Sequence, residues 1–248
     1  MSSLVNVIEV FSGIQGEGIY VGRRQVFVRL AGCNLACEYC DTPEPRQLVL
    51  FAMVEAGAGV RRFDRMENPF DARRLAGVIE VLDGARRHDA VSLTGGEPLL
   101  AADFIAELIP LCGGRRFYLE TNGSLPGQFE KVAALVHTVA MDIKLASAAG
   151  RATDREVARR FLSLAVAREV FVKVVVTDRT TGAELAEAAG TVASVRADVP
   201  FVIQPVTPGS FEVQPPDEDH LLELQMAALA VLRDVRVIPQ VHRLMGQR

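Results

Sequence analysis

The stretch Cys33-Asn-Leu-Ala-Cys37-Glu-Tyr-Cys40 places three cysteines within eight residues. One short segment with C-x3-C-x2-C spacing therefore supplies three thiolates, one fewer than a closed four-ligand metal site needs. Thiolate-rich loops of this kind bind zinc or iron–sulfur clusters, and a cluster held by three cysteines leaves one iron open to another ligand. The remaining cysteine, Cys112, ends an apolar helical stretch, where we expect a buried thiol.

Composition and charge are those of an ordinary globular protein. The chain has 248 residues, of which 49% are hydrophobic and 23% are charged, and its formal net charge is −4. Arginine pairs are scattered along the sequence, so we expect no nucleic-acid partner. The first residues lack a positively charged leader, and no apolar run reaches membrane-spanning length. Crowded cysteines do not suggest a disulfide framework. We therefore expect a cytoplasmic protein with no membrane partner.

Most of the chain alternates between strand-like and helix-like segments. Apolar, β-branched runs predict strands at residues 26–31, 90–93, 116–120, 138–143, 170–176, 201–203 and 235–238. Helical spacing predicts helices at residues 72–87, 103–111, 128–136, 182–195 and 217–233, and a further helix from a Thr153-Asp-Arg-Glu156 capping box to about residue 167. This alternation predicts an α/β fold with a parallel sheet, as a partial (β/α)6 barrel with an N-terminal strand or hairpin extension. A flat doubly wound sheet has the same periodicity and stays open as the alternative.

We interpret residues 1–248 as one domain with two special segments. Residues 1–25 form an N-terminal segment that is expected to bind substrate. Residues 43–70 form an irregular insertion after the cysteines, where a first crossover helix would otherwise be expected. One short helix is predicted within it, near residues 48–54. The insertion either covers the active site or is an inert surface elaboration.

Polar motifs follow several predicted strands, at the positions where parallel α/β folds bind ligands. One is Thr94-Gly95-Gly96-Glu97-Pro98, in which the glycines allow close backbone approach and Glu97 can accept a hydrogen bond from an amine. Glu120-Thr121-Asn122-Gly123, Met141-Asp142-Ile143-Lys144 and Gln204 follow or end later strands. Taken alone, each motif could equally be a tight turn or a satisfied polar group at a strand end.

The cysteine spacing and these motifs together resemble the radical S-adenosylmethionine (SAM) superfamily, which usually has an aromatic residue where Tyr39 stands. The resemblance implies a 4Fe–4S cluster on Cys33, Cys37 and Cys40, with SAM bound at the open iron and cleaved to a 5′-deoxyadenosyl radical. No side chain is expected to act as an acid–base or nucleophilic catalyst, because the radical arises at the cluster and SAM. The residues expected to contact SAM are Tyr39, Gly96, Glu97, Asp142, Lys144 and Gln204.

A second motif lies upstream of the cysteines. Glycines flank Glu17 in the string Ile14-Gln15-Gly16-Glu17-Gly18, and Arg29 lies on the strand that leads to Cys33. Arg29 shares the alternation phase of Phe27, which predicts an inward guanidinium suited to a carboxylate ligand. A glutamine, a glutamate and an inward arginine together suit a guanidine-like ring edge and a carboxylate. The alternative is a hairpin braced by a salt bridge between Glu17 and Arg29.

These motifs, with Cys40-Asp41-Thr42 and His242, resemble the 7-carboxy-7-deazaguanine synthases, a family within the superfamily. The resemblance implies a lyase of queuosine and 7-deazapurine biosynthesis. It would convert 6-carboxy-5,6,7,8-tetrahydropterin to 7-carboxy-7-deazaguanine with loss of ammonia. It further implies Mg²⁺ on Thr42, an electron donor such as flavodoxin or ferredoxin, and a homodimer. The residues expected to bind the pterin are Ile14, Gln15, Gly16, Glu17, Arg29, Thr94 and His242.

The chain departs from the family pattern in three places. Met141-Asp142-Ile143-Lys144 stands where many members have Ser-Pro-Lys, which leaves Lys144 as the close match. The insertion is longer than in short members, and residues beyond Gln240 extend past the end of some relatives. Two alternatives stay open. One is another radical SAM enzyme, such as an activase that makes a glycyl radical on a partner protein, and the other is a non-catalytic module that carries zinc or a cluster.

Overall fold

The computed structural model of the protein describes residues 3–40, 47–208 and 213–247, and these form a ten-stranded mixed sheet. Its strand order is β10-β9-β8-β7-β6-β5-β2-β1-β3-β4. The strands are β1 (Val7–Ile14), β2 (Arg24–Leu30), β3 (Phe51–Glu55), β4 (Phe63–Glu67), β5 (Ala90–Gly95), β6 (Phe117–Thr121), β7 (Thr138–Asp142), β8 (Glu169–Val176), β9 (Phe201–Pro205) and β10 (Val235–Val237).

The order of the strands decides between the two predicted architectures. β2 and β5 to β10 are joined by parallel pairings, and chain neighbours from β5 to β10 are also sheet neighbours. A doubly wound sheet reverses its order at a switch point, and this parallel part does not. The partial barrel is therefore confirmed. Its helices are α1 (Ala72–Asp83), α2 (Ala102–Leu111), α3 (Pro126–Val132), α4 (Ala146–Ala149), α5 (Arg155–Ala165), α6 (Gly182–Val195), α7 (Glu218–Leu229) and α8 (Val241–Leu244).

Helix starts follow local hydrogen bonding, with one correction. Asp71 caps α1 as predicted, because its side chain accepts from the backbone N–H of Arg74 at 2.8 Å. The capping box predicted from Thr153 is wrong by one residue. Asp154 is the N-cap of α5, and the Thr153 hydroxyl accepts from the backbone N–H of Lys144 instead. The first helix also ends at Asp83, before the predicted residue 87, and the Asp83 carboxylate accepts from the backbone N–H groups of Arg87 and His88 in the segment that follows.

The described part of the insertion is a hairpin, so the predicted short helix at residues 48–54 is wrong. β3 pairs parallel with β1 and antiparallel with β4, which extends the sheet beyond the N-terminal strand. Residues 51–54, within the predicted helix, alternate between more and less exposed positions as in a strand, with Ala52 buried and Met53 exposed. Glu55, the last residue of β3, is buried and accepts from the backbone N–H groups of Ser12 and Arg61. Residues 41–46 lie outside the described part.

Three clusters of buried hydrophobic residues form the described core, and two of them account for most of it. The larger lies between the sheet and the outer helices and includes Phe104, Phe117, Phe129 and Phe161. The smaller fills the inside of the barrel and consists of Ala90, Tyr118, Ala140, Phe171 and Val202. Three members of this inner cluster, Tyr118, Ala140 and Phe171, face open space toward the carboxyl ends of the strands. In the described part of the chain, no helix has the length and apolar character needed to span a membrane.

Candidate active site

A cavity of about 680 Å³ opens at the carboxyl ends of the parallel strands. Tyr118 and Phe171 of the inner cluster form part of its wall. Four separate segments complete it: the N-terminal loop after β1, the cysteine loop after β2, the ends of β5 to β9, and the C-terminal segment. The predicted site residues that line the cavity are Ile14, Gln15, Gly16, Glu17, Arg29, Cys33, Cys37, Tyr39, Cys40, Thr94, Gly96, Asp142, Lys144, Gln204 and His242. The structure thus brings together nearly the whole predicted set.

All three cysteines of the loop line this cavity. Burial raises the pKa of the Cys33 and Cys37 thiols, so a bound cation is needed to hold them as thiolates at neutral pH. Among the described residues, no three His, Cys, Asp or Glu side chains are grouped to hold a single metal ion. A 4Fe–4S cluster bonds each cysteine to a different iron, so its ligands need not converge on one point. Thr42, the predicted Mg²⁺ ligand, lies outside the described residues.

The two glycines after Thr94 allow the end of β5 to pass directly against the cysteine loop. A Cβ at Gly96 would lie 1.9 Å from the carbonyl oxygen of Gly32 and 2.9 Å from the Cβ of Cys33. Gly95 has φ +127°, a conformation that favours glycine. The backbone N–H of Glu97 donates to the same Gly32 carbonyl at 2.7 Å. The glycines therefore allow the close distance between the end of β5 and the start of the cysteine loop.

The side chain of Glu97 is buried behind this contact. It is 1% exposed, and its carboxylate accepts from the backbone N–H groups of Leu99 and Asn122 and from the Thr121 hydroxyl, at 2.8–3.0 Å. Burial raises its pKa to about 7, although these three hydrogen bonds act to lower it. Of the pair Gly96 and Glu97, Gly96 lines the cavity, whereas the described lining does not include Glu97. The contact predicted between Glu97 and SAM stays a prediction, and the carboxylate's visible role is to brace two loops.

Four charged side chains of alternating sign lie in a row along the cavity wall. Lys144 Nζ donates to the Tyr39 hydroxyl at 3.0 Å and to Asp142 Oδ2 at 2.8 Å. Lys173 Nζ lies 3.3 Å from the same Asp142 oxygen and donates to Glu17 Oε2 at 2.5 Å. We call this ion-pair chain, Lys144–Asp142–Lys173–Glu17, the charge chain. It connects the cysteine loop to the N-terminal loop.

Sequence reasoning missed Lys173 and the role of Glu120. Lys173 stands in the otherwise apolar run Val170–Val176, and one charge within a buried strand was the available signal. Glu120 also lines the cavity. Its carboxylate accepts from Gln15 Nε2 at 2.9 Å and from Thr94 Oγ1 at 2.7 Å. It therefore joins two predicted substrate residues, Gln15 in the loop after β1 and Thr94 on β5.

Arg29 points into the cavity as predicted, but its partner differs from the one considered. Its Nε donates to Glu9 Oε1 at 2.9 Å, directly across the β1–β2 pair. The alternative salt bridge between Glu17 and Arg29 is wrong, because Glu17 pairs with Lys173 instead.

The C-terminal segment closes one side of the cavity over the N-terminal loop. The backbone N–H of Val241 donates to the carbonyl of Gly16 at 2.9 Å, and Gln240 Nε2 donates to Glu17 Oε1 at 2.7 Å. A Cβ at Gly16 would lie 2.4 Å from backbone and side-chain atoms of His242. Residues at opposite ends of the sequence thus form one wall, and only glycine fits at position 16.

Comparison with known proteins agrees with this geometry. The family model of the radical SAM superfamily matches residues 28–183. The 7-carboxy-7-deazaguanine synthase of Geobacter sulfurreducens is 40% identical, over 96% of this chain and 96% of that protein. The protein of the same name from Methanothermobacter thermautotrophicus is also 40% identical, over 98% and 97%. The chain belongs to the 7-carboxy-7-deazaguanine synthase family of the radical SAM superfamily.

A solved structure of low sequence identity shares the fold of this family member. The crystal structure of QueE from Escherichia coli superimposes with a TM-score of 0.60 at 19% identity, over 96% of this chain and 95% of that one. This likeness concerns the arrangement of strands and helices and agrees with the partial barrel described above.

Membership in the radical SAM superfamily implies a 4Fe–4S cluster and SAM, and the residues of the cavity fit both. Three thiols on one loop suit the cluster. Two buried acceptors of the cavity wall, Asp142 Oδ1 and Gln204 Oε1, have no hydrogen-bond partner among the described residues. Buried acceptors without partners are unfavourable, and the hydroxyl and amino donors of SAM would satisfy them.

Proposed function

We propose that the protein is a radical SAM lyase that converts 6-carboxy-5,6,7,8-tetrahydropterin to 7-carboxy-7-deazaguanine with loss of ammonia. The reaction belongs to queuosine and other 7-deazapurine biosynthesis. The observation that carries the proposal is the shared cavity, in which the cysteine loop and the Gln15–Glu17 loop face one enclosed space. The names of its full-length relatives support the same reaction.

Pterin recognition is assigned to the N-terminal loop. The pyrimidine edge of the pterin offers N–H donors, and Glu17 is an ionised acceptor. Burial acts to raise the pKa of Glu17, but Lys173 and Gln240 outweigh this effect and lower that pKa to about 2. Gln15 is already engaged, since its Nε2 donates to Glu120 and its Oε1 accepts from the backbone N–H of Glu17. Gln15 therefore holds the loop in shape, and Glu17 presents the charge. Ile14, Gly16, Thr94 and His242 complete the pterin site.

The pterin carboxylate is assigned to Arg29. Its Nε donates to Glu9, and the residue lines the cavity together with the cysteine loop. A planar guanidinium with several N–H donors matches the geometry of a carboxylate. Mg²⁺ is proposed to bind the substrate with Thr42 as its protein ligand, because a hydroxyl with substrate and water oxygens suits this hard cation.

The chain's own residues bind, orient and enclose the reactants. When bound, the cluster and SAM supply the 5′-deoxyadenosyl radical that takes hydrogen from the pterin. SAM is proposed to contact Tyr39, Gly96, Glu97, Asp142, Lys144 and Gln204. The glycine contact with the cysteine loop sets the distance from this site to the cluster, and the C-terminal segment limits access of water. Such preorganised enclosure favours one productive geometry and prevents side reactions.

Three further properties belong to the same proposal. The protein accepts electrons from a small donor protein such as flavodoxin or ferredoxin, works in the cytoplasm, and acts as a homodimer. Family membership supports the need for a reductant.

An anaerobic assay tests the proposal. Protein reconstituted with iron and sulfide is incubated with SAM, dithionite, Mg²⁺ and the carboxypterin, and products are followed by their ultraviolet spectra after chromatography. We expect a deazapurine from the wild type and none from Cys37→Ala, which lacks one cluster ligand. Abundant 5′-deoxyadenosine without deazapurine would favour the glycyl-radical activase. Stoichiometric zinc without iron would favour the non-catalytic module.

A further inference from the structure

Lys173 is a buried charge for which the proposed reaction has no assigned role. It lies in the interior of β8, and its side chain is only 14% exposed. Burying an ammonium group among apolar neighbours is unfavourable unless the group is paired. Its two partners are Glu17 and Asp142, and both line the cavity with it. The sheet itself does not need a lysine at this position. We infer that Lys173 serves the two carboxylates of the cavity.

Asp142 and Lys173 form the fixed part of this arrangement. They are cross-strand partners in the β7–β8 pairing, so the backbone sets their separation before any ligand binds. Glu17, in contrast, comes from a loop that is 156 residues away in sequence. Lys173 is the link by which the sheet holds that loop carboxylate in one place.

The groups around Glu17 come from every element packed against it. Lys173 on β8 donates to Oε2, Gln240 on the C-terminal segment donates to Oε1, and His242 of the same segment contributes a further charge interaction. Asp142 lies on the far side of Lys173. Without the ammonium group, two carboxylates on the same wall would repel each other, and Glu17 would keep Gln240 as its main hydrogen-bond donor.

We propose that Lys173 is a positioning residue for the substrate, whose ion pair keeps the Glu17 carboxylate directed toward the N–H edge of the pterin. This inference rests on the proposed function. It adds that the Lys173–Glu17 ion pair, rather than Glu17 alone, recognises the aminopyrimidinone ring of the pterin. Lys173 does not take part in the radical chemistry, and its loss should affect binding of the pterin rather than binding of SAM.

The test compares Lys173→Met, Lys173→Gln and Lys173→Arg with the wild type as reconstituted holoenzyme. Two variants without the charge are made because one of them could fail to fold, and melting curves identify the folded ones. Calorimetric titration gives Kd for the carboxypterin and for SAM, and steady-state assays give KM and kcat. Lys131→Met serves as the matched control, because that lysine pairs with Asp103 on the exposed surface.

We expect the uncharged variants to raise Kd and KM for the pterin at least tenfold, with kcat, iron content and Kd for SAM within about threefold of wild type. Lys173→Arg should recover most of the binding, and Lys131→Met should match the wild type. Unchanged pterin affinity in a folded uncharged variant would overturn the inference, as would a fall in kcat at constant KM. A wild-type protein that neither binds nor converts the pterin would overturn the proposed function itself.

Discussion

Replacing Gly96 by alanine should disrupt the contact that joins the end of β5 to the cysteine loop. The added Cβ would lie 1.9 Å from the Gly32 carbonyl oxygen, 2.5 Å from its carbon and 2.9 Å from Cys33 Cβ, whereas ordinary contacts begin at 3.4 Å. The backbone must therefore shift by an ångström or more. The atoms in the way belong to the main chain and to a predicted cluster ligand, so no flexible side chain can turn aside to make room.

The cost can be estimated from the contacts that such a shift would break. Overpacking of a tight site typically costs about 1–3 kcal/mol. Two backbone hydrogen bonds cross the contact, Glu97 N–H to Gly32 at 2.7 Å and Gly96 N–H to Leu30 at 3.2 Å. Each contributes about 0.5–1.5 kcal/mol. Together these terms predict a loss of roughly 2–6 kcal/mol in the free energy of unfolding.

Urea unfolding followed by circular dichroism measures this loss, and iron content per chain measures cluster retention. Gly190→Ala is the matched control, since it lies within α6 and an added Cβ meets nothing within 4 Å. The control should be stabilised by up to about 1 kcal/mol through its higher helix propensity. A Gly96→Ala protein with the wild-type unfolding midpoint and full iron content would refute the steric reasoning.

Three further changes have defined outcomes. Cys37→Ala should remove the broad visible absorption of the reconstituted cluster while the apo-protein keeps its circular dichroism spectrum; retained absorption would argue against that ligand. Gly16→Ala should displace the C-terminal segment, because the new Cβ would lie 2.4 Å from the backbone nitrogen of His242; KM for the pterin should rise about tenfold, and an unchanged KM would count against this wall. Glu17 has its pKa lowered from 4.5 to about 2 in the folded protein, so its stabilising effect is present above pH 4.5 and is lost as the pH falls toward 2. Relative to Glu17→Gln, cluster-free wild type should lose an advantage of at most about 3 kcal/mol between pH 7 and pH 2 in urea unfolding; a difference that does not depend on pH would contradict the ion pair.

Much of the fold could be predicted because its signals are local. The bounds of α6 agree with the prediction, since Thr181 caps its start and the apolar spacing continues to its last residue. The parallel strands were found because strands that are buried on both faces are continuous apolar runs. The hairpin at β3 and β4 was missed for the opposite reason. It forms by adding to the edge of β1, and the burial of Glu55 against Ser12 is invisible in the insertion's own sequence.

In the site, too, local features were predictable from the sequence and long-range contacts were not. Cys33, Gly96 and Glu17 stand in short motifs whose chemistry is readable from a few neighbouring residues. The partners of those residues are not readable in this way, because Lys173 meets Glu17 across 156 positions and Gln240 meets it across 223. Glu97 is a residue that the motif identifies but whose contacts the motif does not reveal. The motif predicts the carboxylate, but only the fold shows that it already accepts hydrogen bonds from Leu99, Thr121 and Asn122.

The charge chain explains how a cavity can be strongly polar before any ligand arrives. Its two lysines and two carboxylates alternate in sign, so each half-buried charge has an opposite neighbour and the set is neutral as a whole. The conformational entropy of ordering these side chains is therefore lost when the protein folds and not when the ligand binds. A charged substrate then enters a site whose charges and dipoles need little rearrangement. Removal of Lys173 leaves Glu17 without its charged partner, whereas Asp142 keeps its ion pair with Lys144 beside the cysteine loop. The disturbance should therefore be concentrated at the N-terminal loop, where the pterin is proposed to bind.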